Sequence, residues 1–252
     1  LGRVSARLPN GREMRLITHE HESVTSAVYW LGWTGEEPHT IPIWYDLAKD
    51  ACTIIDVGAH IGHHTIVAGL ANPAATLHAF EPLPRVAEML RKNIELNGLN
   101  VQVYETAVGR GVGTGVLYAV SSGPIPSSSS MSVDFRDMNP ILDDEVPVSI
   151  TSIDETISEV RPPVLIKIDT ESTEPDVIYG ARELIRRYSP VIILEILPGP
   201  ESSLKVEQEL RNIGYEYTPY LLTESGPVKK DRISSDAVWH NYLLMPNLLP
   251  IN

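Results

Sequence analysis

Thr53-Ile54-Ile55-Asp56-Val57-Gly58-Ala59-His60-Ile61-Gly62-His63-His64-Thr65 is the stretch on which the reading of this chain turns. A buried-type strand runs into an acid, then a turn with glycines four apart, then a helix start. Glycine at 58 permits backbone angles and a close ligand approach that a side chain would block, and Gly62 lets the helix begin against a bound group. The segment therefore reads as a ligand loop. A dinucleotide fingerprint starting at Gly58 would need glycines where this chain has His60 and His63, which disfavours NAD. Asp56 at the strand end would repel a pyrophosphate and attract a cofactor carrying an ammonium or a sulfonium; S-adenosylmethionine carries both. Glu81 closes the next candidate strand and can accept both ribose hydroxyls of a nucleoside. Asp56 and Glu81 could also serve as caps or turn residues, but the pair at this spacing is more specific than either alone.

Working outward, β-branched runs at Thr53 to Val57, Thr76 to Phe80, Val101 to Thr106, Val164 to Ile168, Val191 to Ile196, Tyr215 to Leu221 and Ala237 to Met245 alternate with amphipathic stretches. That alternation predicts an α/β fold, a mostly parallel sheet of seven strands covered by helices. Arg85 to Leu96 reads as a helix stopped by Asn97-Gly98, Asp176 to Tyr188 as another ended by Ser189-Pro190, and Ser202 or Ser203 can cap a third through Leu210. Residues 1–50 read as an accessory element, with Leu8-Pro9-Asn10-Gly11 a hairpin turn; residues 51–252 read as the main domain. Inside that domain, residues 109–150 are rich in Gly, Pro and Ser, including Ser127-Ser128-Ser129-Ser130, and are expected to add short strands and a mobile loop.

Composition narrows the function. Lys and Arg number 20 against 33 Asp and Glu, a net charge of −13 that repels phosphate backbones and anionic lipids, so nucleic acid is not an expected partner. With 42% apolar residues and no run near the roughly 20 needed for a membrane span, the chain fits a water-soluble class. The lone Cys52 cannot form an internal disulfide, and no basic-then-apolar start resembles a signal peptide, so the cytoplasm is the expected compartment.

With Ile55-Asp56-Val57-Gly58-Ala59-His60-Ile61-Gly62 in hand, the sequence resembles the FkbM family of S-adenosylmethionine-dependent methyltransferases. The resemblance continues through Ala79-Phe80-Glu81-Pro82, Asn93-Ile94-Glu95-Leu96-Asn97, Thr106-Ala107-Val108-Gly109, Ile166-Lys167-Ile168-Asp169-Thr170-Glu171, Gly180-Ala181 and Leu194-Glu195, covering about residues 40–246. It implies a class I methyltransferase (Rossmann-like) fold with the last strand antiparallel, and methyl transfer mostly to hydroxyls of sugars or natural products. It also implies a cofactor site in which Asp56, Gly58, His60 and Gly62 form the loop, Thr65 faces the methionine carboxylate, Glu81 holds the ribose, and Ala107 and Val108 lie beside the adenine. The chain departs from the family at His60, where Asn is common, and at Thr170-Glu171-Ser172-Thr173-Glu174, where Val-Glu-Gly-Ala-Glu is usual.

Ligands of open α/β sheets sit at the carboxyl ends of the strands, which is where Asp169 and Glu195 fall, with Glu171 two residues on. Asp169 is the expected general base for a hydroxyl, with Glu171 and Glu195 orienting it; alternatively these acids cap helices or pair with Lys167. Two carboxylates on adjacent strands could also hold Mg²⁺, though no dedicated ion loop is present and no protein metal ligands are assigned. His60 and His64 would share a helix face if the helix begins by Ile61. Trp30 and Trp33 could form a platform for a sugar ring or macrocycle, or pack in the core. The expected protein is an O-methyltransferase for a saccharide or a glycosylated or polyketide natural product; the alternatives are a non-catalytic S-adenosylmethionine-binding protein and a nicotinamide-dependent oxidoreductase.

Overall fold

The structure, a computed structural model, describes residues 2–19, 22–120, 125, 129–139, 141–198 and 202–247; Ser127 and Ser128 of the serine run lie outside them. The chain opens with a hairpin of β1 (Arg3–Arg7) and β2 (Glu13–Ile17), turned at Leu8 to Gly11 with Gly11 at φ +83°. Helices α1 (Ser23–Leu31) and α2 (Ile41–Ala48) follow; the Glu22 carboxylate caps α1 by accepting from Val24 N and Thr25 N, each at 2.7 Å. The strand and helix alternation then begins with β3 (Thr53–Val57), α3 (His63–Ala71), β4 (Thr76–Phe80), α4 (Pro84–Leu96) and β5 (Val101–Tyr104). Next come β6 (Ala107–Val108), β7 (Gly113–Ala119), β8 (Ser129–Ser130), α5 (Val133–Met138), β9 (Asp144–Thr151) and α6 (Ile153–Thr156). The last part runs β10 (Val164–Ile168), α7 (Glu174–Gly180), α8 (Arg182–Tyr188), β11 (Val191–Glu195), α9 (Ser202–Ile213), β12 (Tyr217–Thr223), β13 (Gly226–Lys229) and β14 (Asn241–Pro246).

The main sheet has the order β13-β12-β14-β11-β10-β3-β4-β5. Strands β11, β10, β3, β4 and β5 pair in parallel, and β14 lies antiparallel between β11 and β12. The last strand, β14, is antiparallel as the resemblance implies, and the first strand of the alternation, β3, lies between β10 and β4. The sheet holds eight strands among the described residues, not the expected seven. The extra one is β13, which folds back on β12 through Glu224-Ser225 and pairs Thr223 with Gly226 at φ +96°. It is short and at the edge, so its apolar pattern is weak. In the separate sheet β6-β9-β7-β8, the Gly, Pro and Ser-rich segment supplies β7, β8 and nearly all of β9, and β6 just precedes it.

Alternate residues of each strand feed two cores. Ile54, Leu165, Ile193 and Leu243 pack with Trp44 of α2, Ile66 of α3 and Val86 of α4. Ile55, Ile166, Ile192 and Leu244 pack with Val177 of α7, Ile185 of α8 and Leu210 of α9. Helices therefore cover both faces, and β3 and β10, buried along their whole length, occupy the centre.

Several expected elements are shifted at their ends by one or two residues, such as the strand expected from Tyr215, which begins at Tyr217, and two differ by more. The helix expected over Asp176 to Tyr188 is two helices meeting at Ala181, because Asp154 accepts from Glu183 N at 2.9 Å and Leu184 N at 3.0 Å and so caps a fresh start. The last strand begins at Asn241 rather than Ala237, since Asp236 accepts from Val238 N and Trp239 N and holds that stretch in a turn. Among the described residues no helix is long and apolar enough to cross a membrane.

Candidate active site

The ends of β3, β4 and β10 open onto one cavity. The loop after β3 is shaped by three left-handed residues, Gly58 (φ +81°), His60 (φ +51°) and Gly62 (φ +96°). Gly58 N and Ala59 N both donate to Phe80 O, which ties the loop to β4. A Cβ on Gly58 would fall 1.8 Å from the carbonyl oxygen of Asp169. Glycine is thus required here by the neighbouring strand end, a reason that differs from the ligand approach expected from sequence. Because α3 begins only at His63, His60 lies in the turn and does not share a helix face with His64.

Gly58, His60, Glu81, Ala107, Val108, Asp169 and Glu171 line the cavity; Asp56, Gly62, Thr65 and Glu195 are not among the described residues that line it. Asp56 is buried, its Oδ2 accepting from Thr65 Oγ1 at 2.6 Å and its Oδ1 without a hydrogen-bond partner among the described residues. Thr65 therefore braces Asp56 rather than facing open space. The Glu81 carboxylate accepts from His60 N at 3.0 Å and from Leu83 N at 2.9 Å, so it shapes the loop while still bordering the cavity. Burial pushes its carboxyl up, opposed by His60 and these two N–H donors.

At the end of β10, Lys167 Nζ donates to Asp169 Oδ2 at 2.6 Å. Lys167 is 2% exposed; burial would lower its pKa, but Asp169, Glu37 and Asp56 outweigh that and hold it raised and charged. Glu195, on the adjacent β11, has its carboxyl pushed up by burial and by the neighbouring Asp169. Of the two carboxylates considered for Mg²⁺, Asp169 is thus paired with the Lys167 ammonium. Among the described residues no group of three or more His, Cys, Asp or Glu is placed to hold a metal ion.

Several cavity residues were not singled out from sequence. Ser23, Val24, Glu36 and Glu37 come from α1 and the turn before α2. Glu37 reaches His64 Nε2 at 3.4 Å, an ion-pair distance without hydrogen-bond geometry, and accepts from Asn241 Nδ2 at 3.2 Å. Burial opposes its charge, but His64, Lys167 and His63 hold its carboxyl well below the usual range. His63 is bonded to Trp33 O at 2.8 Å and is held down at about 4, chiefly by burial. A lysine inside the aliphatic β10 run was the available sequence signal for Lys167; Glu36 and Glu37 carry none. Trp30 and Trp33 form no shared platform: Trp30 is 79% exposed and edge-on to Tyr29, whereas Trp33 sits edge-on to Tyr45.

The turn after Asp169 keeps left-handed angles without glycine, at Glu171 (φ +53°) and Ser172 (φ +83°). The buried Glu174 holds it, accepting from Ser172 N at 3.0 Å and from Thr170 N and Oγ1, and Ser130 Oγ donates to Glu171 O. Burial raises the Glu174 carboxyl to about 7. Because a side chain at φ +83° is strained, Ser172→Gly is expected to stabilise the protein by about 1 kcal/mol in urea denaturation. A destabilised variant would show that the serine side chain supplies more than the backbone strain costs.

A family model described as the methyltransferase FkbM domain matches residues 56–217, well over half of the chain. The 31-O-demethyl-FK506 methyltransferase FkbM of Streptomyces tacrolimicus is 27% identical over 154 residues, covering 52% of this chain and 59% of that protein. Among solved structures, methyltransferase FkbM from Methylobacillus flagellatus KT aligns with a TM-score of 0.48 at 16% identity, over 78% of this chain and 43% of that one. Precorrin-6y C5,15-methyltransferase from Geobacter metallireducens GS-15 aligns with a TM-score of 0.46 at 14% identity, over 84% of this chain and 88% of that one. The chain thus spans little more than half the length of the curated relative.

Proposed function

Because the chain belongs to the FkbM methyltransferase family, we propose that it is an S-adenosylmethionine-dependent O-methyltransferase acting on a hydroxyl of a saccharide or of a glycosylated or polyketide natural product. One observation carries the reading: Glu81, the loop from Gly58 and the Asp169 carboxylate border a single cavity at the ends of three neighbouring parallel strands. The curated relative is named as a 31-O-demethyl-FK506 methyltransferase, which supports oxygen as the accepting atom.

The residues fit the cofactor. Glu81 would hold the ribose, Ala107 and Val108 would flank the adenine, and the Gly58 to Gly62 loop would take the methionine end, with Thr65 bracing Asp56 behind it. The buried, unpaired Asp56 Oδ1 adds a negative potential that favours a cationic ligand. When bound, S-adenosylmethionine supplies a methyl group on a positively charged sulfur. The protein's own work is to hold the acceptor in line and to take its proton. Asp169 is the group for that proton, oriented by Lys167 Nζ. Glu195 acts through Asp169 as a positioning residue, and Glu171 borders the acceptor at the rim. The altered segment after Asp169, which prompted the non-catalytic alternative, still leaves Asp169 and Glu171 on the cavity. A reducing, cytoplasmic setting suits the single free Cys52.

Calorimetric titration with S-adenosylhomocysteine, with NAD and NADP in parallel, tests the cofactor. Saturable binding of the first alone is expected, weakened by about tenfold or more in Glu81→Ala, as for a lost hydrogen bond to a charged group. Preference for a dinucleotide, or undiminished binding by the variant, would overturn the assignment.

A further inference from the structure

Glu171 (φ +53°) and Ser172 (φ +83°) are consecutive left-handed residues, both with side chains, in the turn that leads from Asp169 to α7. Strain of this kind persists only where the surroundings over-determine the backbone. Here they do so on both sides of one residue. The peptide before Glu171 has its carbonyl, Thr170 O, accepting from Thr173 Oγ1 at 3.2 Å. The peptide after it is gripped at each end: Glu171 O accepts from Ser130 Oγ, and Ser172 N donates to Glu174 Oε1 at 3.0 Å. The same Glu174 oxygen takes Thr170 N at 3.3 Å and Thr170 Oγ1 at 3.2 Å. Because each peptide is planar, the orientations of the two flanking peptides fix the direction of a residue's Cα–Cβ bond. These bonds therefore aim the side chain of Glu171, a residue that lines the cavity.

The two grips come from different parts of the fold. Ser130 is buried in β8 of the separate sheet and also accepts from Ser132 N at 2.9 Å. Its neighbours Ser129 and Met131 line the cavity together with Leu117 of β7, so this bond ties that wall to the strand end that carries Asp169. Glu174 is buried at the start of α7, and its Oε2 makes no hydrogen bond among the described residues. Burying a carboxyl with one oxygen unserved is costly, and the donors to its other oxygen belong to this turn. The Glu171 carboxylate in turn lies close enough to Glu195 to help push that carboxyl up, which sets it beside the Asp169 and Glu195 pair.

We propose that Ser130 and Glu174 are positioning residues of the acceptor site, which hold the Glu171–Ser172 peptide so that the Glu171 carboxylate points at the acceptor beside Asp169. The inference rests on the methyl-transfer reading and goes beyond it in making the separate sheet part of the machinery that orients the acceptor. Removal of either grip lets the strained peptide relax, and the Glu171 carboxylate swings away from the acceptor.

The test begins with release of S-adenosylhomocysteine from S-adenosylmethionine in the presence of methyl glycosides of glucose and rhamnose and of 31-O-demethyl-FK506, the substrate named for the curated relative. With the best of these acceptors, Ser130→Ala and Glu174→Ala are each expected to lower kcat/KM by about tenfold or more, within the range that a misplaced active-site group produces. S-adenosylhomocysteine affinity should stay within about twofold. Glu174→Gln keeps an oxygen for the turn's N–H groups and should recover most of the turnover that Glu174→Ala loses. The deciding comparison is a double-mutant cycle with Glu171→Ala, run separately for Ser130 and for Glu174 so that a variant that fails to fold leaves the other to decide. Once Glu171 is truncated, neither second substitution should cost further turnover, because both act through it. A merely structural role would give the same loss in both backgrounds. Additive losses, unchanged turnover in the single variants, a parallel fall in S-adenosylhomocysteine affinity, or Glu174→Gln no better than Glu174→Ala would overturn the proposal while leaving the methyl-transfer reading intact. Failure of that reading shows separately, as an unaltered chain that methylates none of the acceptors, and this inference falls with it.

Discussion

Asp169→Asn is expected to lower turnover by about 10²- to 10⁴-fold, the range for removing a positioned general base. Asparagine keeps the size of the side chain and cannot take the acceptor proton. It also replaces the charged partner of Lys167 Nζ at 2.6 Å and removes a charge that helps push the Glu195 carboxyl up. S-adenosylhomocysteine affinity should stay within about twofold, because Glu81, Ala107 and Val108 border the cavity independently of this side chain. Single-turnover kinetics with a saturating acceptor and a parallel titration separate the two effects. Unchanged turnover would remove Asp169 from the chemistry. A parallel collapse of cofactor affinity would make it a structural residue of the strand end. In Glu195→Gln, by contrast, the pH dependence of turnover should shift while much of the rate survives, since Glu195 acts on the acceptor only through Asp169 in this reading.

Lys167→Met should cost about 3–5 kcal/mol of stability at pH 7, the scale seen when one partner of a buried ion pair is removed. The aliphatic stem is replaced nearly isosterically, so the loss falls on charge. Asp169, Glu37 and Asp56 all face the ammonium, and without it they are left in a buried, acidic centre. The sign follows from linkage. Lys167 is raised above its ordinary 10.5, so its contribution is complete below that pH and is lost only as pH rises through the folded value. Glu37 is lowered from its ordinary 4.5, so its contribution is present above that value and is lost as pH falls. The deficit of the variant should therefore be large at neutral pH and shrink below about pH 4.5 as carboxylates take protons. Urea denaturation of both proteins across that range measures it. A loss below about 1 kcal/mol, or one independent of pH, would show that the carboxylates find other compensation.

The succession of strands along the chain from Thr53 to Val57 onward, the turn after that strand and the acids at Glu81, Asp169 and Glu195 were legible in the sequence because each is a local signal. Periodicity of two, glycines at a strand end and an acid closing a run are properties of adjacent residues, and neighbouring backbone geometry follows from them. The same locality explains the misreadings. Nothing near Ala181 announces a helix break, because the capping Asp154 comes from the segment before β10. The edge strand β13 has only Gly226 to Lys229 and borrows its order from β12.

By itself, the sequence determined the α/β alternation, the placement of acids at strand ends and the family resemblance. Tertiary structure alone decided what those acids face. It set Gly58 against the Asp169 carbonyl, buried Lys167 among Asp169, Glu37 and Asp56, and folded Glu36 and Glu37 over the cavity from the chain before β3. The reason is physical. The charge state of a carboxylate and the reach of a side chain depend on burial and on neighbours brought by the fold from remote positions, and no local pattern of residues encodes those distances.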